Sequence, residues 1–175
     1  MKNFVIKGLY IIAWIIFVGL SIEGCGLLVN FIVSIFKPDF VGNLYQKLDL
    51  LHIYSSNKGV FFGIYSFILV IAFLKTLLFY RVIQLSGSLE LEKPFSQYVS
   101  KKIEQISIYT FEIGIISYIG RVVVKGLSGR GYDLEKLGGF WVDSDAFILM
   151  AAIIFIISVI FKKGLEMQNE NELTI

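Results

Sequence analysis

The stretch that decides the fold runs from Gly8 to Phe36 and reads GLYIIAWIIFVGLSIEGCGLLVNFIVSIF. It is 29 residues long, lies between Lys7 and Lys37, and contains Glu23 as its only charged residue. About 20 apolar residues let a helix cross a hydrocarbon core of roughly 30 Å, so this stretch is long enough to cross a membrane with some tilt. Its apolar residues surround the whole helix instead of following one stripe, which is typical of a helix in lipid or among other helices.

Three further stretches show the same all-round apolar character, so the chain has four predicted transmembrane helices. The fourth holds only 16 uncharged residues, 146–161, and it reaches full length if Phe140 and Trp141 lie in the headgroup layer, where aromatic rings are favoured. A β-barrel would alternate every second residue over segments of about 10 residues, and no such alternation occurs. The predicted spans cover about residues 8–36, 59–80, 103–124 and 140–161 of a single membrane domain, 1–175.

The composition excludes several classes of protein. With 56% hydrophobic and 17% charged residues, the chain departs from an ordinary soluble domain, which has roughly 45–50% apolar and about 25% charged residues. Its net charge of +2 is too small to drive binding to nucleic acid, so we expect no direct contact with nucleic acid. A single cysteine, Cys25, and a single histidine, His52, exclude a disulfide framework and clustered metal ligands. We therefore predict no cofactor, and the partner that the composition indicates is the lipid bilayer.

The distribution of basic residues predicts how the spans are oriented. The N-terminus, residues 81–102 and the C-terminal segment carry eight Lys and Arg, against six in the two opposite loops. Because basic residues are retained on the cytoplasmic side, both termini are predicted to be cytoplasmic, with residues 164–175 as a cytoplasmic tail. We expect a multi-pass protein of the bacterial inner (plasma) membrane.

Two connections show helical features. In the first outer loop, a set of apolar residues at helical spacing predicts a short amphipathic helix lying in the membrane interface, with His52 at its end. This set is Val41, Leu44, Tyr45, Leu48 and Leu51. In the inner connection, Pro94 suits the first position of a short helix that continues through Phe95 into the third span. The predicted fold is thus all-α, an integral membrane bundle of four transmembrane helices with a short interfacial helix in the first outer loop.

We single out four ionisable residues inside the predicted spans: Glu23, Lys75, Glu112 and Arg121. Such groups cost at least about 2.5–3.5 kcal/mol each to insert, so they usually face the bundle interior, pair with one another or line a pathway. Counting depth from the cytoplasmic ends of the spans at about 1.5 Å per residue, we predict that Lys75 pairs with Glu112, and Glu23 with Arg121. Two interpretations stay open: the pairs fix the register of the helices, or the residues form a proton or ion relay or a polar ligand pocket.

Two segments resemble a known family. They read EKPFS at residues 92–96 and IFKKGLEMQNENELTI at residues 160–175. Together with the layout of four spans, they make the chain similar to the small bacterial four-helix membrane proteins of domain-of-unknown-function family 2975. That family has no established activity, but its members often sit beside small helix-turn-helix regulators. The resemblance therefore implies a role in membrane-linked regulation.

We predict a non-enzymatic membrane protein that engages a cytoplasmic partner, a small helix-turn-helix DNA-binding regulator. Both family-like segments lie on the same predicted face of the membrane. The tail is polar but ends on apolar residues, so it either stays solvated or docks into its own bundle or onto that partner. The docking candidates are Pro94, Phe95, Gln168, Glu170, Leu173, Thr174 and Ile175.

The alternative function is a small transporter or channel that uses the charges in the spans, although no inverted repeat is detectable. An enzyme is not predicted, because the sequence contains no paired His, no HExxH and no nucleophile-elbow motif. Asp143 and Asp145 fit the start of the fourth helix better than a metal or catalytic pair.

Overall fold

The computed structural model describes residues 2–37, 41, 50–89, 96–132, 134–141 and 143–172. These residues form five α-helices and one short 3₁₀-helix, and no strand occurs among them. The α-helices are α1 (Lys2–Phe36), α2 (Leu51–Ser56), α3 (Lys58–Gly87), α4 (Gln97–Ser128) and α5 (Ser144–Glu172), and the 3₁₀-helix covers Glu135–Phe140. Helices α1, α3, α4 and α5 are long and apolar enough to cross a membrane. This confirms the predicted all-α fold with four membrane-length helices.

Local sequence sets where α3 begins. Asn57 lies in extended backbone between α2 and α3, and its Oδ1 accepts hydrogen bonds from the backbone N–H groups of Gly59 and Val60, at 2.9 and 3.2 Å. These bonds satisfy two of the amide groups that the first turn of a helix leaves without partners. The cap therefore separates the six-residue α2 from the 30-residue α3.

Helix α4 begins in the same way. Ser96 has an extended backbone, and its Oγ accepts a hydrogen bond from the N–H of Val99 at 3.2 Å. The helix then runs without interruption from Gln97 to Ser128. The short helix predicted to begin at Pro94 does not run continuously into α4, because the extended backbone of Ser96 separates the two. Pro94 and Phe95 themselves lie outside the described residues.

The long helices pack side by side in the order α1, α3, α4, α5, and neighbours run antiparallel. Near one end of the bundle Tyr10 of α1 lies against Gly87 of α3. Near the other end Phe31 packs on Phe62, with ring centroids 5.6 Å apart. We call the end at which α1 begins and α3 ends the connector end, because the connection between α3 and α4 lies there. The opposite end is the loop end.

The main hydrophobic core lies toward the loop end. Phe61 and Tyr65 of α3 are almost fully buried there, together with Ile113 of α4. Val41 and Leu50 from the first loop pack into the same cluster. These two residues of the first loop therefore contribute to the core of the bundle.

The structure adds a helix to the first loop. Helix α2, Leu51–Ser56, follows the segment of the predicted interfacial helix, and His52 is its second residue. Most of the predicted helix itself falls outside the described residues, so it stays a prediction. The spacing of the apolar residues predicted that they face the membrane interface. Val41 and Leu50, which belong to this loop, are instead buried against protein. Residues 42–49 lie outside the described residues.

Helix α5 begins four residues after the start of the predicted fourth span at Phe140. The 3₁₀-helix precedes it, and Trp141 then packs against Gly120 of α4 with 2% of its surface exposed. The Trp141 ring is therefore buried against α4, and its depth relative to the headgroup layer stays a prediction. Gly120 makes room for the ring, since a Cβ at that position would lie 2.6 Å from two indole carbons.

Candidate functional site

Arg121 pairs with a residue that sequence reasoning assigned only to the start of a helix. Its Nη2 atom lies 3.0 and 3.1 Å from the two carboxylate oxygens of Asp145, in the first turn of α5. This pairing replaces the predicted one with Glu23, because α5 is adjacent to α4 whereas Glu23 lies on α1, which packs on α3. The two side chains are 40% and 70% exposed. The ion pair is therefore a surface feature of the loop end.

Lys75 and Glu112 lie at the same level of adjacent helices, yet they do not pair. Lys102 of α4 contacts Gln84 of α3 at 2.8 Å, and in that antiparallel register Lys75 is opposite residue 111. Both Lys75 and Glu112 are half-buried, but neither forms an ion pair or a hydrogen bond with another described residue. The predicted pair is therefore wrong within the described structure. The register brings the two residues level, but level positions alone do not bring their side chains into contact.

Glu23 shares this level. A Cβ at the next residue, Gly24, would lie 4.0 Å from Thr76 Oγ1 of α3, so Glu23 lies close to the level of Lys75. Glu23 is half-buried. The structure thus places three of the four predicted charges at one level across α1, α3 and α4. Arg121 lies apart from them, nine residues after Glu112 on α4 and about 14 Å nearer the loop end.

The contact between α4 and α5 is close, and sequence analysis missed it. Ser107 Oγ donates a hydrogen bond to the backbone carbonyl of Ala151 at 3.0 Å. A Cβ at Gly114 would lie 2.7 Å from Ile148 Cγ1. Small residues let two helix backbones approach, and the signal that could have found them is the seven-residue spacing of Ser100, Ser107 and Gly114, which are all buried.

The register of that contact shows that α5 extends past the start of α4. Ser107 lies ten residues after Gln97, the first residue of α4, and the residue ten positions beyond Ala151 is Phe161. Residues 162–172 therefore project beyond α4 at the connector end, over about 16 Å. We call these residues the α5 extension.

Most of the described side chains of the α5 extension, within residues 162–170, are polar and exposed. Lys163 Nζ and Glu166 Oε2 form an ion pair at 2.9 Å between side chains that are 69% and 48% exposed, and exposed pairs of this kind add little stability. Met167 is a large apolar residue on this segment, and 57% of it is exposed. Of the predicted docking residues here, Gln168 is half-buried and Glu170 is exposed. The remaining three, Leu173, Thr174 and Ile175, lie outside the described residues.

An apolar groove of about 460 Å³ lies between α1 and α3. The hydroxyls of Ser21 and Thr76 on its walls already donate hydrogen bonds to carbonyls of their own helices, at 2.7 and 3.0 Å. Cys25, which also lines the groove, carries an exposed free thiol. The groove therefore offers chiefly apolar contact. Among the residues that the structure describes, no group of three or more His, Cys, Asp or Glu could hold a metal ion.

Comparison with known proteins identifies a family. The model of a family described as "Protein of unknown function (DUF2975)" matches residues 43–175. The matched region contains α2 to α5 with the α5 extension, and α1 precedes it. No curated protein and no solved structure matches the chain.

Proposed function

This chain belongs to the DUF2975 family, and from that premise we propose that it is a non-enzymatic, multi-pass protein of the bacterial inner membrane. In this proposal the connector end and both termini lie in the cytoplasm, where the α5 extension holds a soluble partner. The partner is a small helix-turn-helix DNA-binding regulator, the class that the resemblance of the sequence implies. The four long apolar helices support the contact with lipid.

The observation that carries the proposal is the α5 extension. Its residues, 162–172, continue α5 as a helix beyond the start of α4, and Lys162, Lys163 and Met167 are exposed there. Most helical stability in proteins comes from tertiary packing, and this segment lies beyond α4, so packing against a partner would stabilise it. A regulator bound there would be held at the membrane surface.

Basic residues support the orientation. Lys101 and Lys102 lie in the first turns of α4, and Lys162 and Lys163 follow the continuous apolar stretch of α5 that ends at Phe161. All four are therefore at the connector end. Excess Lys and Arg in short loops marks the cytoplasmic side of a membrane protein.

Copurification tests the proposal. The full-length protein and a chain that ends after Lys163 would each be expressed with an affinity tag on the N-terminus, and bound proteins would be identified. We expect a helix-turn-helix protein to copurify with the full chain and to be lost from the shortened one. Retention of the same partner by the shortened chain would contradict the proposal.

Two controls make this test specific. Size-exclusion chromatography must show that the shortened chain is still a monodisperse membrane protein, because the cut lies beyond the apolar part of α5. The variant Lys125→Glu changes an exposed charge at the loop end of α4, on the other side of the membrane, and should keep the partner. Equal loss of the partner from this variant would show that the binding is not located at the α5 extension.

A second candidate function is a small transporter or channel. The observation that favours it is the level shared by Glu23, Lys75 and Glu112, of which Lys75 and Glu112 are half-buried and have no ion pair among the described residues. Charges held in this way inside a span usually serve a pathway. Proton flux into proteoliposomes should fall in Glu112→Gln and not in Glu104→Gln, which changes an exposed residue of the same helix. Flux that is absent, or that is unchanged in Glu112→Gln, would count against this candidate.

A further inference from the structure

Two cations from different helices converge on one neutral oxygen near the connector end. Arg81 Nη1 of α3 and Lys102 Nζ of α4 each donate a hydrogen bond to Gln84 Oε1, both at 2.8 Å. Each cation also lies over an aromatic ring, Arg81 over Tyr80 at 5.9 Å and Lys102 over Tyr98 at 5.1 Å. We call Arg81, Gln84 and Lys102 the cation cluster.

The positive charge of the cation cluster is not balanced within the described structure. No described carboxylate forms an ion pair with Arg81 or Lys102. Arg81 Nε is buried and has no hydrogen-bond acceptor among the described residues. A buried donor without a partner is costly, and two like charges at short range repel each other. An anion between the two cations would relieve both costs.

The cation cluster also lies at a particular depth in the bundle. Arg81 is six residues before the end of α3 at Gly87, and Lys102 is five residues after the start of α4 at Gln97. These positions are about 9 and 8 Å along the helix axes from those ends. In a bundle that crosses a bilayer, they flank the apolar stretches at the headgroup layer, where tyrosine rings are also favoured.

We propose that Arg81 and Lys102 bind a phosphate group, with Gln84 Oε1 occupying the place of a phosphate oxygen in the structure. A guanidinium presents paired N–H donors to phosphate oxygens, and an ammonium adds a compact charge. The two donor nitrogens are each 2.8 Å from the shared oxygen and hence no more than 5.6 Å apart. This is close enough for both to contact oxygens of the same phosphate.

The chemistry is the same for two sources of phosphate, the headgroup of an anionic lipid and a water-soluble phosphate compound. The site does not depend on the protein partner proposed above, because the α5 extension contributes nothing to it. It also does not depend on which way the bundle is oriented, since both leaflets of a bilayer carry phosphate headgroups.

The test uses the full-length protein purified in detergent micelles, with phosphatidylglycerol and inorganic phosphate as separate probes. Native mass spectrometry counts bound phosphatidylglycerol, and the shift in melting temperature measures binding of either probe. Arg81→Gln and Lys102→Gln each remove one charged hydrogen bond and should weaken binding about tenfold. Lys101→Gln is the matched control, because it makes the same change at an adjacent, exposed residue outside the cluster.

Gln84→Glu separates a binding role from a purely structural one. The substitution has nearly the same shape but places a carboxylate between the two cations, so it should pair with both and exclude the phosphate. We expect this variant to fold, to melt at a higher temperature than the wild type without added probe, and to lose binding of the probe. If the cation cluster only stabilises the fold, Gln84→Glu should still melt at a higher temperature, but the wild type should bind neither probe in the first place.

The possible results show which source of phosphate the site binds, and they also show whether the site exists. Binding of phosphatidylglycerol without competition from inorganic phosphate identifies a lipid headgroup, and binding of inorganic phosphate identifies a water-soluble compound; both support the site. The proposal is overturned if the wild type binds neither probe, or if Gln84→Glu binds as well as the wild type. An equal loss of binding in Lys101→Gln would also overturn it, since the effect would then come from general surface charge.

Discussion

Helices α1 and α4 are similar in length, 35 and 32 residues, but the bundle holds them very differently. Helix α4 lies between α3 and α5 and buries ten residues. Helix α1 packs mainly on α3, and its buried described side chains are Ala13, Leu27 and Ser34. Apolar side chains gain little by leaving lipid for protein, so close packing and hydrogen bonds decide how firmly a membrane helix is held. The more apolar helix is thus the less enclosed one.

The α1–α3 contact and the α4–α5 contact are built from different kinds of interaction. The α1–α3 contact includes adaptable aromatic side chains, such as Phe17 on Tyr80 with centroids 6.0 Å apart, and a hydrogen bond from Tyr65 to the carbonyl of Leu27 at 3.1 Å. The α4–α5 contact brings backbone against backbone at Gly114. Side chains can move to accept a change, whereas a helix backbone cannot. Mutations should therefore damage the α4–α5 contact more.

The largest effect is expected at Gly114. In Gly114→Ala the new Cβ would lie 3.0 Å from the backbone N of Ile148 and 3.2 Å from the backbone O of Ser144, so α5 must shift. Overpacking of this kind costs about 1–3 kcal/mol, and we expect the upper part of that range in the free energy of unfolding measured in detergent micelles. The matched change in the other contact is Gly24→Ala, whose Cβ has an ordinary 4.0 Å contact with Thr76.

Gly24→Ala should leave the free energy of unfolding unchanged or raise it, because alanine favours a helix over glycine by about 1 kcal/mol. Equal destabilisation by Gly114→Ala and Gly24→Ala would remove the distinction between the two contacts.

The second effect is at Gly120, where a substituent meets a side chain instead of a backbone. The Cβ of Gly120→Ala would lie 2.6 Å from Trp141 ring carbons, so the indole must move out of its buried site. We expect a loss of about 1–2 kcal/mol and a shift of the tryptophan emission to longer wavelength. In the background Trp141→Leu, the same glycine substitution should cost less, since neighbouring changes are not additive; fully additive costs would show that the ring is not the obstacle.

The third effect is the loss of the buried hydrogen bond that ties α1 to α3. Tyr65→Phe removes the donor to Leu27 while keeping the ring, and we expect a loss of about 1 kcal/mol in the free energy of unfolding. Tyr80→Phe is the matched control, because its ring also packs on α1 but is 41% exposed. A similar loss in both variants would assign the effect to tyrosine in general and not to this bond.

The smallest effect is expected for the ion pair between Arg121 and Asp145. The side chains are 40% and 70% exposed, so water and salt screen the attraction, and such pairs contribute about 0.2–1 kcal/mol. Asp145→Asn should lower the free energy of unfolding by less than about 0.5 kcal/mol, and this small loss should disappear in high salt. A loss as large as that of Gly114→Ala would mean that the pair organises the start of α5.

The intramembrane charges show where sequence reasoning about a site stops. Depth can be counted along a helix, and the register does bring Lys75 level with Glu112. Whether two side chains meet depends also on the angle at which each leaves its helix, and this angle depends on how the helices are rotated against their neighbours. Asp145 was recognised as a residue of the helix start, but its contact with Arg121 depends on how α5 packs against α4.

The cation cluster is a second case in which the sequence alone does not show which side chains meet. Arg81 and Lys102 are 21 positions apart in the sequence, and each is an ordinary basic residue at the end of an apolar stretch. Only the packing of α3 on α4 brings both to Gln84. The docking residues of the tail were chosen from sequence alone, and the structure adds that α5 continues as a helix through Glu172.

By itself, the sequence determined the number of membrane-length helices and their approximate limits, because length and apolar composition belong to each stretch alone. Tertiary structure decided which residues face each other: Arg121 with Asp145, Trp141 in the space left by Gly120, and α5 extending past α4. The reason is that these contacts depend on small residues such as Gly114, which set the distance and rotation between helices. Hydrophobicity places a helix in the membrane, and close packing places it against its neighbours.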